Sequence, residues 1–351
     1  MSAVYRKYYP CTCVWEVTMG CNMNCGHCGS SCKEVLPDEL TTEQALKFID
    51  MCAEIGLIWV TLSGGEPLIR KDLPILIEHL TEKKIAVNMI TNGWLLNTSL
   101  VKKLKNLGVS TVAISVDGLK ETHDSIRKKG AFLKAVNSLK LLKNNGISAG
   151  VVTTISKKNI KELESIKKLL VSLKVDLWQI QIGLPMGNFS NQKDWLIEPE
   201  QVLEIVDFCY KTFKEGNIEI YPADCIGYYD KKLMSINCVN SKIEETWCGC
   251  NAGIRTFGIL HNGDILGCTS IRDKKYIEGN IKYNSIKEIW ENPNSFNWRR
   301  NFKAENLAGN CGICNYNKKC LGGCFNTRLA INKDIYSENK YCTHNISILT
   351  K

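Results

Sequence analysis

The run Val14-Trp15-Glu16-Val17-Thr18-Met19-Gly20-Cys21-Asn22-Met23-Asn24-Cys25-Gly26-His27-Cys28 joins an apolar, strand-like segment to three clustered cysteines. Thiolates separated by three and then two residues can close around one face of a soft-metal cluster, and three ligands rather than four leave one iron open to a small molecule. An open iron is a reactive site. Downstream, Thr41 and Gln44 fit a helix capping box, and Ala45, Phe48, Ile49, Cys52 and Ile55 form one apolar face, which assigns Cys52 to the core.

From residue 14 to about 182, extended apolar runs alternate with helical patterns, the signature of repeated parallel βα units. The expected strands are Val14 to Thr18, Trp59 to Ser63, Ala86 to Thr91, Thr111 to Val116, Ala149 to Thr154 and Leu177 to Ile182. Six such units predict an α/β fold, an open and partial (β/α) barrel whose reactive groups collect at the C-terminal strand ends. Cys21 to Cys28 follow the first strand, Gly64 to Pro67 the second, and Asn92 and Gly93 the third, so one pocket is expected to gather them. The repeat stops after Gly183. A helical segment, Pro199 to Lys214, leads through Ile218 to Tyr221 into a cysteine-rich remainder, in which Thr256 to Leu260 and Asp264 to Leu266 flank an Asn262-Gly263 hairpin turn. The resulting division is a barrel core over 1–184, a bridging region over 185–237 and a small cysteine-rich domain over 238–351, whose modest apolar content calls for metal as a staple.

Composition narrows the function classes. The 351 residues are 44% apolar and include 18 cysteines, yet contain no apolar run long enough for a bilayer and no export-type N-terminus. A cytoplasmic location with reduced thiols is expected, so clustered cysteines read as metal ligands rather than disulfides. The formal charge of +9 comes from scattered lysines such as Lys33, Lys47, Lys83 and Lys103, with no stripe that would mark nucleic-acid binding. Neither a nucleic-acid nor a membrane partner is expected.

Cys21, Cys25 and Cys28 in CxxxCxxC spacing, with Ser63-Gly64-Gly65-Glu66-Pro67 after the second strand, resemble the radical S-adenosylmethionine enzymes over residues 14 to about 182. The resemblance implies that the three thiolates hold a [4Fe-4S] cluster whose fourth iron chelates the methionyl end of S-adenosylmethionine. Reductive cleavage then yields a 5'-deoxyadenosyl radical that abstracts a substrate hydrogen. Gly64 and Gly65 are expected to let backbone approach the ligand, and Glu66 to supply a carboxylate for its ammonium group; a tight strand-end turn is the plainer reading of the same residues. Ser115, in Ser115-Val116-Asp117-Gly118, matches the family position that meets ribose or carboxylate oxygens, with Asn92 a further cofactor-binding candidate. Arg127 reads either as a partner for the ligand carboxylate or as a solvated arginine.

The later cysteines resemble the SPASM extension of that family: Cys250, Gly263, Cys268, then Cys311-x2-Cys314-x5-Cys320-x3-Cys324, and Cys342. The resemblance implies two auxiliary clusters, hence three [4Fe-4S] clusters in all. Its crossed ligation joins Cys324 to Cys250 and Cys268, and Cys342 to Cys311, Cys314 and Cys320. For the fourth position of the first auxiliary cluster, Cys248, Cys238 and an open iron remain alternatives; a structural zinc is the alternative for Cys311 to Cys324 taken alone. Cys225 reads as a buried thiol or as a hydrogen donor that quenches a substrate radical. Gln179, Gln181 and Met186 face the expected pocket. Cys11, Cys13, Cys32 and Cys209 read as structural.

The resemblance implies a ribosomally made precursor peptide as substrate, modified by thioether formation, crosslinking or epimerisation, with a flavodoxin or ferredoxin as reductant. Only 20 residues precede Cys21, so leader recognition is expected from a separate leader-binding protein or from the barrel and SPASM surfaces. Sulfatase maturation is the first alternative, although Thr269 stands where that branch places an aspartate, leaving Asp264 or Asp273 to approach as base. A multi-cluster electron carrier is the second. Anaerobic reconstitution should give about twelve irons per chain, and the combined Cys21→Ala, Cys25→Ala and Cys28→Ala variant roughly eight, with 5'-deoxyadenosine formation abolished, as iron analysis and mass spectrometry would show.

Overall fold

The computed structural model describes residues 8–223, 225–241 and 249–349. Ten strands form one open sheet in the order β10-β9-β8-β1-β2-β3-β4-β5-β6-β7. They are β1 (Thr12–Glu16), β2 (Trp59–Ser63), β3 (Ala86–Thr91), β4 (Thr111–Ser115), β5 (Ser148–Ile155), β6 (Leu177–Ile182), β7 (Glu219–Pro222), β8 (Thr256–Ile259), β9 (Asp264–Leu266) and β10 (Ile277–Asn280). Pairing is parallel from β8 through β1 to β7, with β9 and β10 completing an antiparallel edge.

The helices that link these strands bury the sheet's outer face. Helix α1 (Thr42–Glu54) opens with the expected capping box, Thr41 accepting from the Gln44 amide and Gln44 from the Thr41 amide. Ala45, Phe48, Ile49 and Cys52 are buried against the sheet, where Phe48 meets Trp15 edge-on with ring centroids 4.8 Å apart. Strand β6 shows the period-two logic: Trp178, Ile180 and Ile182 turn toward the helices, while Gln179 and Gln181 turn inward. Cys13, Cys52 and Cys209 are fully buried core thiols. Among the described residues, no helix is long and apolar enough to cross a membrane.

The sheet is wider than six strands. Strand β7, from the expected bridging region, pairs with β6, and β8 from the cysteine-rich region lies parallel to β1, Thr12 opposite Thr256 and Trp15 opposite Ile259. An unpaired β1 edge would expose a row of backbone donors and acceptors, and β8 satisfies them. The cysteine-rich region therefore continues the barrel sheet.

Thr41→Ala is expected to cost about 1 kcal/mol by removing the α1 cap. Faster hydrogen exchange confined to the first-turn amides of α1 would show it.

Candidate functional site

The segment from Gly20 to Lys33 leaves β1 as a loop pinched at its neck, where the Cys21 amide donates to the Lys33 carbonyl at 3.1 Å. Further backbone bonds hold it in place: Gly26 N–H to the Ile126 carbonyl at 2.9 Å and Asn188 N–H to the Cys28 carbonyl at 2.9 Å. The Asn188 side chain also donates to the Cys25 carbonyl at 3.1 Å. This loop presents Cys21, Cys25 and Cys28 to one cavity of about 480 Å³, bounded by the C-terminal strand ends on one side and the cysteine-rich region on the other.

The Gly-Gly-Glu turn packs on the base of the same loop. Gly64 has φ +138°, and a Cβ there would meet the Thr18 carbonyl oxygen at 2.5 Å; one on Gly65 would meet the Gly20 oxygen at 2.1 Å. The close approach is thus to protein backbone, secured by Gly65 N–H to Thr18 and Glu66 N–H to Gly20, both 2.8 Å, while Gly64 and Gly65 also line the cavity. The Glu66 carboxylate ties the turn to β3. Fully buried, it accepts from the Thr91 hydroxyl at 2.6 Å, the Asn92 amide at 2.8 Å and the Leu68 amide at 3.1 Å. These donors fasten the turn to β3. Burial pushes its carboxyl up, and the same three donors pull against that shift.

Asn92 lines the cavity, and its side chain donates to Asn22 Oδ1 at 2.7 Å, bracing the cysteine loop. Ser115 lies on the wall at the end of β4. Arg127 follows helix α4, counting α2 (Leu73–Glu82), α3 (Thr98–Asn106) and α4 (Lys120–Ile126) in order. It is not a solvated arginine: Nε donates to Asp117 Oδ2 at 2.5 Å, Nη1 lies 3.8 Å from Cys25 Sγ, and the side chain borders the cavity.

Asp117, which sequence patterning did not single out, organises this side. His27 Nε2 lies 2.8 Å from its Oδ2, and the Thr154 amide donates to Oδ1 at 2.8 Å. Burial raises the Asp117 carboxyl, but Arg127 and His27 outweigh it and hold the group far below the usual carboxylate range. Burial likewise works against the Arg127 guanidinium, and Asp117 reverses the effect, so both stay charged. The available signals were His27 inside the cysteine run and an aspartate directly before Gly118.

The later cysteines fall into two places. Cys311, Cys314, Cys320 and Cys342 ring a separate, much smaller cavity of about 20 Å³ together with Tyr228. Cys268 and Cys324 line the large cavity, and Cys268 packs beside the buried Cys250. Cys248 and the side chain of Cys238 lie outside the described residues. Cys225 is on the cavity wall, its Sγ accepting from the Ile182 amide at 3.3 Å, and so is not a remote core thiol. Thr269 is also on the wall. Asp264 is held in the hairpin by Asn262 and Asn280, both at 2.8 Å, Asp273 caps a short helix, and neither lines the large cavity.

The donor set fits iron-sulfur clusters. Burial pushes the Cys21 thiol up to about 11, Cys320 to about 12 and Cys342 to about 11. Such thiols remain protonated at neutral pH unless a metal displaces the proton, and soft thiolate ligands select iron-sulfur centres. A hydrogen bond from the neighbouring Cys32 thiol pulls the Cys28 thiol down, which favours its thiolate.

Comparison with known proteins agrees with this geometry. Residues 15–170 match the Radical SAM superfamily, and residues 248–320 match SPASM, an iron-sulfur cluster-binding domain. The AdoMet-dependent heme synthase of Methanosarcina barkeri is 33% identical over 94% of this chain and 95% of its own length. The mycofactocin maturase of Mycolicibacterium smegmatis is 28% identical over 90% of this chain and 78% of its own. Among solved structures, Streptococcus suis SuiB bound to S-adenosylmethionine superposes with a TM-score of 0.77 at 17% identity, covering 96% of this chain and 78% of SuiB.

Asp117→Asn should leave the Arg127 guanidinium without its buried counter-charge, a loss of about 3–5 kcal/mol. Thermal denaturation should register the loss, and iron analysis should show depletion at the first cysteine trio with the auxiliary iron retained.

Proposed function

Because this chain belongs to the radical S-adenosylmethionine superfamily and carries a SPASM extension, we propose that it abstracts a hydrogen from a precursor peptide held in the large cavity. A cluster on Cys21, Cys25 and Cys28 with S-adenosylmethionine on its open iron supplies, when bound, the hydrogen-abstracting radical. The protein's part is aim and exclusion of water. Gly64, Gly65, Asn92, Ser115 and Arg127 line the cavity with that trio and, together with Glu66, are the proposed cofactor contacts; the Glu66 carboxylate also keeps the turn in position. Cys250, Cys268 and Cys324 are proposed ligands of one auxiliary cluster, and Cys311, Cys314, Cys320 and Cys342 of the other.

The observation that carries the peptide reading is the chemistry of the cavity between the two cysteine systems. Its substrate-facing wall presents neutral amides and hydroxyls, among them Thr154, Gln179, Gln181, Thr269, Ser270 and Asn326, beside apolar patches such as Leu184 and Met186. Gln181 already donates to Thr154 at 3.0 Å, an arrangement that can exchange for backbone amides. The arginines on the wall are matched internally, Arg127 by Asp117 and Arg272 by Glu16, with Arg272 also donating to Ser30 at 2.6 Å. A neutral peptide suits this balance. Cys225, on the same wall, is the proposed hydrogen donor where the reaction ends in epimerisation. A separate leader-binding protein and a flavodoxin or ferredoxin reductant complete the proposed system.

Identity with the heme synthases along nearly the whole chain favours a second reading, oxidative modification of a tetrapyrrole such as Fe-coproporphyrin III. Propionate side chains would then compete with Glu16 and Asp117 for the two arginines.

The experiment incubates the reconstituted enzyme with S-adenosylmethionine and dithionite, separately with Fe-coproporphyrin III and with synthetic peptides encoded by short neighbouring reading frames. A mass change in a peptide, with deuterium from a labelled side chain appearing in 5'-deoxyadenosine, supports the first reading. Carbon dioxide loss from the porphyrin with unchanged peptides would replace it with the second.

A further inference from the structure

Helix Phe325–Asn332 begins directly after Cys324, and one turn later it carries Arg328, whose side chain is wholly buried. The Arg328 Nη1 donates to the Ile335 carbonyl and Nη2 to the Leu321 carbonyl at 2.9 Å, while the buried Nε has no hydrogen-bond partner among the described residues. The guanidinium lies over the Phe325 ring at 4.5 Å and the Phe302 ring at 5.3 Å. Its electrostatic neighbours are sulfur and phenol groups, Cys311, Tyr228, Cys324 and Cys320, and among the described residues no carboxylate pairs with it. A buried cation in such surroundings is strongly unfavourable unless an anion lies close by. Thiolate-ligated iron-sulfur clusters are anions, and Arg328 stands among the cysteines that would hold them.

Arg127 provides the contrast. It also approaches a cluster cysteine, Cys25, but Asp117 at 2.5 Å cancels its charge. The first trio therefore has a neutralised neighbour and the auxiliary site an unneutralised one. The auxiliary side also gains hydrogen bonds to sulfur, with the Asn339 amide 3.4 Å and Asn345 Nδ2 3.8 Å from Cys311 Sγ.

Building on the cluster assignment above, we propose that Arg328 is the fixed counter-charge of the auxiliary site formed by Cys311, Cys314, Cys320 and Cys342, making a cluster there easier to reduce than the one held by Cys21, Cys25 and Cys28. Cluster potentials follow net charge, hydrogen bonds to sulfur and solvent exposure, and a nearby positive charge favours the reduced, more anionic state. Arg328 touches neither substrate nor cofactor in this account; it is a positioning residue for charge.

The test is a redox titration of the reconstituted full-length chain followed by electron paramagnetic resonance, with auxiliary signals assigned in the variant lacking Cys21, Cys25 and Cys28. In Arg328→Gln the auxiliary midpoint should fall by a tenfold change in the reduction equilibrium, ~59 mV for one electron, while the first cluster's midpoint stays in place. Arg328→Lys, which keeps the charge, should restore most of the wild-type value. An unmoved auxiliary midpoint in Arg328→Gln at full iron content overturns the proposal, as does an equal fall in both variants. If Arg328→Gln loses auxiliary iron, the lysine variant decides: a wild-type midpoint supports the charge role, and loss of iron there too assigns Arg328 to structure alone. Wild-type protein that binds no auxiliary iron would overturn the cluster assignment itself.

Discussion

The reactive end of the barrel depends on one buried charge, the carboxylate of Asp117. Placed just beyond β4, it meets His27 from the cysteine loop, Arg127 from the end of α4 and the Thr154 amide of β5. A carboxylate without solvent needs such partners, so the three elements are held at fixed spacing by the requirement to keep it satisfied. Glu66 does the same for the neighbouring strands, drawing the Gly-Gly turn, Thr91 and Asn92 together. With both fasteners in place, the rim around the cysteine trio is organised by the protein itself, which is what aiming a reactive intermediate requires.

Much of the barrel was readable from periodicity, because strands buried on one face by helices carry a dense apolar signal. Trp59–Ser63, Ala86–Thr91 and Leu177–Ile182 occur with the expected limits, and the α1 cap and its buried face follow from Thr41, Gln44 and the apolar stripe. Strand β7 was harder to see, since only four residues pair and Pro222 ends them. The contact of β8 with β1 leaves no local trace, since the paired residues Thr12 and Thr256 lie far apart in the sequence. Within the site, cysteine spacing exposed the ligand candidates, whereas the use of Glu66 depended on which way a buried side chain turns. Asp117 resembled an ordinary turn aspartate because its partners, His27 and Arg127, come from other parts of the sequence.

The cavity wall unites the two cysteine systems. Cys21, Cys25 and Cys28 border it from the barrel loop, and Cys268 and Cys324 from the SPASM side, with Gln179 and Gln181 between. Cys311, Cys314, Cys320 and Cys342 have their own smaller enclosure, joined to the first through Tyr228, whose hydroxyl accepts from the Cys324 amide at 3.0 Å and from Asn339 at 2.9 Å. Arg272 closes the opposite corner by reaching from the SPASM region to Glu16 and Ser30. The large cavity is thus lined jointly by the barrel, from the cysteine loop through Gln179 and Gln181, and by the SPASM region.

The parallel pairing of β1 with β8 also bears on how the protein is made. During synthesis β1 emerges well before its partner at Thr256–Ile259, which follows only after the helices and strands of the barrel have been translated. Until then β1 has β2 on one side and an open edge on the other, the kind of surface on which nascent chains pair with the wrong neighbour. Late arrival of β8 makes closure of that edge a finishing step of folding, and couples completion of the barrel to the arrival of the segment that brings Cys268.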